Sequence, residues 1–307
     1  MIVVILNSNA GAKVRGPAAP TTQDQLVEIL DRHGIEARIV PTDSEESAKS
    51  AVAEAVAGGA DTIIAAGGDG TVGLVASELL GNTSVTLGIL PMGSVMNIAR
   101  MLGISRDLDG AAAVIAAGKT RVIDAGEANG VTFYEAASVG MHAGMFSTAQ
   151  HFEDGDWGSP LKALWQGFRY RPAHMFIEMD QESIKTRALM VTISNGAYMG
   201  VGMTVAPDAR LDDGRFDVRV FRHFSKLQLL RHLAAIAFGR YKYTPHVRTY
   251  RSAKVHITSH SALPIRADAI DLGTTPLECV SRHAALRVIV GPDYADGSAK
   301  AAERSSD

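Results

Sequence analysis

The pattern of apolar and polar residues differs between the two parts of this 307-residue chain. In roughly the first 124 residues, short apolar runs alternate with stretches whose apolar residues recur every three to four positions, which is the pattern of strands alternating with helices. The predicted elements are strand Ile2 to Leu6, a helix that opens on a Thr22/Gln25 capping box and ends at Gly34, strand Ile35 to Val40, helix Ser44 to Ala57, strand Thr62 to Ala66, a helix from Thr71, strand Val85 to Leu90, and helices Ser94 to Leu102 and Asp107 to Ala117. This alternation predicts an α/β domain over residues 1–124 with a mostly parallel, Rossmann-like sheet.

The pattern changes after Asp124 to short runs typical of strands, such as "VTFYEAASVG", "ALMVTISNG" and "RFDVRVF", with few helical stretches between them. These runs predict a second domain over residues 125–283 that is mainly an antiparallel β-sandwich. Residues 284–292 are a candidate segment to return to the first domain. The small, polar end of the chain, residues 293–307, is expected to be disordered.

Composition excludes several classes of protein. The net charge of -3 and the lack of a basic arm argue against a nucleic-acid partner. The single cysteine, Cys279, excludes a disulfide framework within the chain, and no Cys/His spacing is typical of zinc, so we expect a reduced, cytoplasmic setting. The apolar run at the start is too short for a membrane span and follows no basic region, so we expect a first strand and not a signal peptide.

The segment Gly67-Gly68-Asp69-Gly70-Thr71 lies between a predicted strand and a predicted helix. Backbone N–H groups that converge at a helix N-terminus form an anion site. A dinucleotide fingerprint would need an acid about 20 residues further on, and a Walker loop would need Lys followed by Ser or Thr; the chain has neither. The segment therefore indicates a different phosphate loop, with Asp69 placed to serve a metal-bound nucleotide. The alternative is a tight turn whose glycines only relieve steric crowding.

Three segments in this order, "GGDGT", "LPMGSVMNIARMLGI" and "SNGAYMGVGMTVAPDARLDDGRFDV", resemble the diacylglycerol kinase catalytic family. The resemblance extends over about residues 1–292 and is strongest to bacterial soluble lipid kinases, which are related to sphingosine and ceramide kinases. It implies an enzyme that uses ATP and Mg²⁺ to transfer the γ-phosphoryl group to the hydroxyl of diacylglycerol or a similar lipid. Such a transfer depends mostly on positioning and electrostatic stabilisation.

The resemblance also implies roles for individual residues. The implied contacts to the nucleotide and its phosphates are Asn7, Gly11, Thr42, Gly67, Gly68, Asp69, Gly70, Thr71 and Ser94. The implied structural Mg²⁺ site consists of Asp213 with the backbone carbonyls of Arg210 and Arg215. Oxygen ligands of this kind suit a hard cation. The alternative for the "LDDG" segment is a plain β-turn.

Two positions depart from the family pattern. Met96 stands where the family has Asn in its Gly-Thr-x-Asn segment, and Ile270 replaces the glutamate of its Asp-Gly-Glu triplet. That glutamate is the favoured proton acceptor in the family, so the candidate acceptor here is Asp268. The departures also favour an alternative, a member that binds nucleotide but is slow or catalytically silent. A third hypothesis, an NAD kinase-like enzyme, is disfavoured by the motifs of the second domain.

The stretch "RYKYTPHVRTYRSAK" is rich in basic and tyrosine residues and contains no acid. It is either an ordinary solvated hairpin surface or a docking face for anionic lipid head groups. In the second case Arg240, Lys242, Arg248 and Arg251 would bring the protein to the inner surface of a membrane.

Overall fold

The structure is a computed structural model, and it describes residues 1–10, 23–141, 171–200, 202–222 and 247–294. The chain forms two compact units. The first comprises Met1–Asp124 together with the segment that begins at His283, and the second comprises Ala125–Arg282. Of the tail predicted to be disordered, all but the first two residues lie outside the described residues.

The first unit is an α/β domain. Its elements in chain order are β1 (Ile2–Asn7), α1 (Gln23–Arg32), β2 (Ala37–Thr42), α2 (Glu45–Ala57), β3 (Thr62–Gly67), α3 (Asp69–Glu78), β4 (Thr86–Pro91), α4 (Asn97–Met101), α5 (Leu108–Ala117) and the start of β5 (Thr120–Ala128). Strands β1 to β4 are parallel and lie in the order β2, β1, β3, β4. The centres of β1, β3 and β4 are almost entirely buried, because apolar runs in a parallel sheet are covered on both faces, whereas the edge strand β2 is only partly buried.

In the described residues of the second unit, the elements of regular secondary structure are β-strands. They are β6 (Val131–Phe133), β7 (Ala136–Gly140), β8 (Ala173–Met179), β9 (Ser183–Ala188), β10 (Met190–Ser194), β11 (Tyr198–Met199), β12 (Met203–Thr204), β13 (Phe216–Phe221), β14 (Val247–Ser252), β15 (Lys254–Ser259), β16 (Pro264–Ala267), β17 (Ile270–Thr274) and the start of β18 (Leu277–Ile289). One antiparallel sheet has the order β14, β13, β10, β7, β16, β17. Antiparallel β18, β15, β8 and β9 pack on it through a shared apolar core. The predicted fold class is confirmed for both domains.

The chain passes between the units in β5 and in β18. The later part of β18 returns to the first unit, where Arg287 and Val288 pair in parallel with β4. Asp124 of β5 is almost fully buried, and its Oδ1 atom accepts hydrogen bonds from Nδ1 of His283 (2.7 Å) and from the backbone N–H of Ala284 (2.8 Å). The two crossing strands are therefore joined side by side within the first unit.

Side-chain caps mark the starts of two helices in the described residues. Ser44 caps α2 in a reciprocal pair with Ser47, and Asp107 caps α5 through the N–H of Gly110. The predicted cap at Thr22 lies outside the described residues. None of the helices in the described part of the chain has the length and hydropathy needed to cross a bilayer.

Candidate functional site

The predicted phosphate loop is shaped by close backbone contacts. A Cβ atom on Gly67 would lie 2.5 Å from Oγ1 of Thr71, and one on Gly93 would lie 2.8 Å from Cα of Gly68. Glycine is therefore required where β3 meets the segment after β4. By contrast, a Cβ atom on Gly70 would meet open space.

Helix α3 begins at Asp69, two residues before the predicted start at Thr71. Gly68 is its N-cap and provides no side-chain bond to the first turn. The first N–H groups of a helix have no acceptor within the helix, and the helix dipole makes this end positive. The first turn of α3 thus has donors that suit an anion, and the phosphate role predicted for it stays a prediction.

A cavity of about 330 Å³ opens beside this turn in the first unit. Its lining residues are Asn7, Asn9, Thr42, Asp43, Ser44, Glu45, Ala48, Gly70, Thr71 and Leu74. The cavity brings together Asn7, Thr42, Gly70 and Thr71 from the predicted contacts. Nδ2 of Asn7 donates to Oγ1 of Thr71 (2.9 Å), and the Thr42 hydroxyl donates to the carbonyl of Leu6 (3.1 Å). These bonds fix Asn7 and Thr42 at the ends of β1 and β2, and Thr71 in the first turn of α3.

Asp69 lies in the first turn of α3 but does not line this cavity. Its Oδ2 atom accepts a hydrogen bond from the backbone N–H of Met96 (2.8 Å). Its Oδ1 atom is buried and has no hydrogen-bond partner in the described part of the chain. A carboxylate oxygen without a donor fits a hard cation such as Mg²⁺.

Ser94 and Gly11 are not placed in the same cavity. Ser94 is exposed after β4, where its backbone carbonyl accepts a hydrogen bond from the guanidinium of Arg106. Gly11 lies outside the described residues. The roles predicted for both therefore stay predictions.

The "LDDG" turn of the second unit is surrounded by arginines. Oδ1 of Asp213 accepts the backbone N–H of Arg215 (3.1 Å), and Oδ2 lies 3.5 Å from Nη1 of Arg251. Arg210 pairs with Asp212 (3.1 Å). No group of three or more His, Cys, Asp or Glu side chains within the described ranges could hold a metal ion. The turn fits a metal ion poorly, because a guanidinium already balances the carboxylate, and the predicted metal role stays a prediction.

The predicted basic docking face is only partly described. Arg240 and Lys242 lie outside the described residues, and Arg248 is exposed on β14. Arg251 instead faces its own domain: its Nη2 atom donates to the carbonyl of Asp208 (3.1 Å) and lies 3.6 Å from Oδ2 of Asp217. Arg251 is therefore a poor candidate for contact with an external head group.

Comparison with known proteins agrees with this architecture. Residues 1–128 match the model of the diacylglycerol kinase catalytic domain, and residues 136–290 match the YegS C-terminal NAD kinase beta sandwich-like domain. The chain belongs to the diacylglycerol kinase family. It is 26% identical to a diacylglycerol kinase of Bacillus subtilis over 89% of this chain and 91% of that protein. It is 31% identical to a protein of Escherichia fergusonii named probable lipid kinase YegS, over 64% of this chain and 68% of that protein.

A solved structure of a diacylglycerol kinase from Bacillus anthracis has a similar fold. The TM-score is 0.70 at 20% identity, with 96% of this chain and 98% of that chain covered. The likeness extends over both units, so the two-domain fold of the diacylglycerol kinase family is present here.

Met96, the first departure from the family pattern, is fully buried. It has a left-handed backbone (φ 56°) and forms the N-cap of α4, while its N–H is bound by Asp69. The neighbouring Asn97 is also buried. The predicted helix Ser94 to Leu102 is thus shorter, because the chain turns at Met96 before it becomes helical.

Asp268 occupies the turn between β16 and β17, with a left-handed backbone (φ 45°). Its carboxylate accepts backbone N–H groups from Tyr134 (2.8 Å), Glu135 (3.0 Å) and Ala136 (3.0 Å). Asp268 therefore holds the segment that leads into β7. Its role as proton acceptor stays a prediction, and these bonds occupy lone pairs that an acceptor would use.

Ile270 follows on β17 and is 48% exposed, an unusual exposure for a large apolar side chain. Ile270 therefore does not pack in the core of the second unit. Its position in the family motif thus remains accessible to solvent, with an apolar side chain in place of the acid.

Sequence reasoning missed Glu135, a carboxylate beside Asp268 that is only 7% exposed. Its Oε2 atom accepts the N–H of Gly200 (3.2 Å), and its carbonyl accepts the N–H groups of Asn195 and Gly196. Glu135 therefore joins the "NGAYMG" segment to the Asp268 turn. An acid inside the apolar run "VTFYEAASVG" was the available signal.

Proposed function

We propose that this protein is an ATP-dependent lipid kinase that transfers the γ-phosphoryl group to a lipid hydroxyl. The cavity at the N-terminus of α3 carries this proposal, because it gathers Asn7, Thr42, Gly70 and Thr71 around donors suited to phosphate. Membership of the diacylglycerol kinase family supports the same reaction.

In this proposal the phosphate chain lies against the first turn of α3. Gly70 leaves room for phosphate oxygens to approach the backbone. The Thr71 hydroxyl, which accepts a hydrogen bond from Asn7, remains able to donate to a phosphate oxygen. The acidic end of the cavity, at Asp43 and Glu45, repels phosphate and suits the ribose hydroxyls instead.

Mg²⁺ is the cation that we propose for the nucleotide. Asp69 fits it through the buried Oδ1 atom, which has no partner in the described part of the chain. When bound, the ion neutralises charge on the phosphates that develops during transfer. The residues themselves position the nucleotide and exclude water.

The proposed site has no well-placed carboxylate to accept the proton of the lipid hydroxyl among the family positions in the described residues. Asp268 keeps the family position but holds three backbone N–H groups, and Ile270 provides no carboxylate. These two observations favour the second candidate function, a member that binds nucleotide but transfers phosphate slowly or not at all. General base catalysis supplies only ~10² to 10⁴ in rate, so the lack of one acid is compatible with a slow kinase.

The test is incubation with labelled ATP and Mg²⁺ in the presence of mixed lipid micelles or, separately, of NAD. We expect labelled lipid and unlabelled NAD. ATP binding without any labelled product would support the silent member, and labelled NAD would support a nucleotide kinase.

Peripheral membrane contact is a further part of this proposal, and among the described basic residues it rests on Arg248. Sedimentation with anionic vesicles should fall for Arg248→Gln and remain unchanged for vesicles of neutral lipid. Arg251→Gln is the informative comparison, because Arg251 already binds Asp208 and Asp213. Equal sedimentation of wild type and Arg248→Gln would contradict the contact.

A further inference from the structure

The six-stranded sheet of the second unit has two chemically different faces. Phe216, Val218, Val191 and Ile193 belong to the face that packs into the apolar core. Side chains alternate between faces along a strand, so the residues between them point to the opposite face. The opposite face carries polar side chains at its centre, with the apolar Met190 and Phe221 at the ends of β10 and β13.

Four polar side chains form a row across this second face. Arg219 of β13 lies opposite Thr192 of β10, Thr192 lies opposite Ser138 of β7, and Ser138 lies opposite Arg266 of β16. Residues directly opposite one another on neighbouring strands share a face. We call Arg219, Thr192, Ser138 and Arg266 the polar row. At strand spacings of about 4.8 Å, the two arginine Cα atoms are roughly 14 Å apart, with both hydroxyl residues between them.

The polar row is largely buried but not fully hydrogen-bonded. Thr192 is 0% exposed and Arg266 is 6% exposed. Oγ1 of Thr192, Nη1 of Arg266 and Nε of Arg219 are buried without a hydrogen-bond partner in the described residues. Oγ of Ser194, two residues along β10 from Thr192 and on the same face, is also buried without a hydrogen-bond partner in the described residues. Buried polar groups are normally hydrogen-bonded, so these atoms point to a polar ligand.

The charges of the row favour an anion. Arg266 directs Nε and Nη2 to the carbonyls of Asp268 and Ala269, which are neutral acceptors. Nε of Arg219 has no hydrogen-bond partner among the described residues, and burial lowers the pKa of this guanidinium. The acids whose charges act on these arginines are Asp217 and Asp208 for Arg219 and Asp271 for Arg266. Burial raises the pKa of Asp217, which reduces the charge available to balance Arg219.

We propose that the polar row binds anionic oxygen atoms in the head group of the acceptor, so that the acceptor is an acidic lipid with a free hydroxyl. This inference rests on the proposed kinase function and deepens it by naming the substrate class. A guanidinium and hydroxyls suit phosphate or carboxylate oxygens through charge-assisted hydrogen bonds. A neutral diacylglycerol would leave both arginines without such a partner.

The experiment compares two short-chain, soluble acceptors, dihexanoyl phosphatidylglycerol and dihexanoylglycerol, in wild type and Arg219→Gln. The first has an anionic phosphate and free hydroxyls, and the second has a hydroxyl without charge. Arg187→Gln is the matched control, because Arg187 is an exposed arginine on β9 of the same unit. Arg219→Lys keeps the charge and serves if the glutamine variant is unstable.

We expect wild type to have the lower KM for the anionic acceptor. Loss of one charge-assisted hydrogen bond should raise that KM by roughly 10- to 100-fold in Arg219→Gln and leave the KM for the neutral acceptor unchanged. The anionic lipid without ATP should raise the Tm of wild type and of Arg187→Gln but not of Arg219→Gln. The same Arg219-dependent Tm shift without phosphorylation of any lipid would support the row and reject the kinase function.

Three results would overturn the proposal. One is an equal effect of Arg219→Gln on the two acceptors, and another is no effect on either acceptor while wild type phosphorylates lipid. The third is an Arg219-dependent Tm shift with inorganic phosphate as large as that with the anionic lipid, which would make the row a site for free anions.

Discussion

The carboxylate of Asp69 accepts the backbone N–H of Met96 at 2.8 Å, so the predicted phosphate loop is bonded to the turn that starts α4. Met96 is fully buried and has a left-handed backbone. The two carboxylate oxygens of Asp69 therefore have separable roles. Oδ2 accepts a hydrogen bond that stabilises the fold, and Oδ1 suits a cation. Substitutions should separate these roles.

Asp69→Asn should keep the bond to Met96 and lose the charge. We expect its Tm to match wild type, while Mg-ATP binding weakens by about tenfold or more and turnover falls by roughly 10²-fold, because transition-state charge is no longer balanced. Asp69→Ala should also lose about 1–3 kcal/mol of stability, since a buried N–H would be left without an acceptor. Thermal unfolding and ATP titration measure both effects.

The control is Asp31→Asn, an exposed acid on α1 of the same unit. It should leave stability and ATP binding unchanged. Normal Mg-ATP binding by Asp69→Asn would remove Asp69 from the nucleotide site.

Asp268→Asn tests whether Asp268 is more than a holder of the 134–136 segment. An asparagine offers one acceptor oxygen, so at least one of the three N–H donors would lose its partner, and we expect a loss of about 1–3 kcal/mol in stability. If Asp268 also accepts the proton, turnover per folded molecule falls too. Glu182→Gln, an exposed acid of the same unit, is the control. Full turnover at a temperature where the variant is folded would exclude Asp268 as the acceptor.

Ile270→Glu tests whether the missing acid limits the reaction. The side chain is 48% exposed, so a carboxylate there stays solvated and should not destabilise the fold. We expect turnover to rise by up to about 10²-fold, the lower end of what a general base supplies. Ile270→Gln, which has the same shape without the charge, should give no rise. A glutamate variant no faster than wild type would mean that the acid at this position does not limit turnover.

Asp217 should make stability depend on pH in the direction opposite to most acids. Burial raises its pKa in the fold above the ordinary value of 3.8, despite the attraction of Arg251. As pH falls through the folded-state pKa, the folded chain binds a proton before the unfolded chain does, so protonation stabilises the fold. Asp217→Asn should therefore have a higher Tm than wild type at pH 7, with a difference that shrinks toward pH 4. A constant difference across that range would contradict the raised pKa.

The strands of the first unit were predictable because each is a short apolar run closed by polar residues. The run Thr62 to Ala66 appears as β3 with one more residue, and Ser44 caps α2 as its sequence indicates. The start of α3 was two residues off, because Asp69 and Gly70 are poor local signals for a helix that tertiary contacts stabilise.

Contacts between distant residues could not be predicted in the same way. The partners of Asp268 are backbone N–H groups more than 130 positions earlier in the chain. Almost every residue has a backbone N–H, so the residue types do not identify these donors. The polar row likewise depends on strand register, since Ser138, Thr192 and Arg266 become neighbours only after β7, β10 and β16 pair. The ion pair of Arg251 with Asp213 likewise forms only in the fold, so composition alone placed Arg251 with the candidate docking residues.

The return of β18 to the first unit bears on how this chain is synthesised. Arg287 and Val288 pair with Thr86 and Leu87 of β4, so β4 is an open edge until the ribosome has passed residue 288. An unpaired strand edge is a template for aggregation. A nascent chain that has completed only residues 1–124 would carry a nucleotide-binding unit with this edge exposed. We therefore expect residues 1–124 expressed alone to aggregate. Residues 1–124 fused through a flexible linker to the segment 283–294 should be soluble.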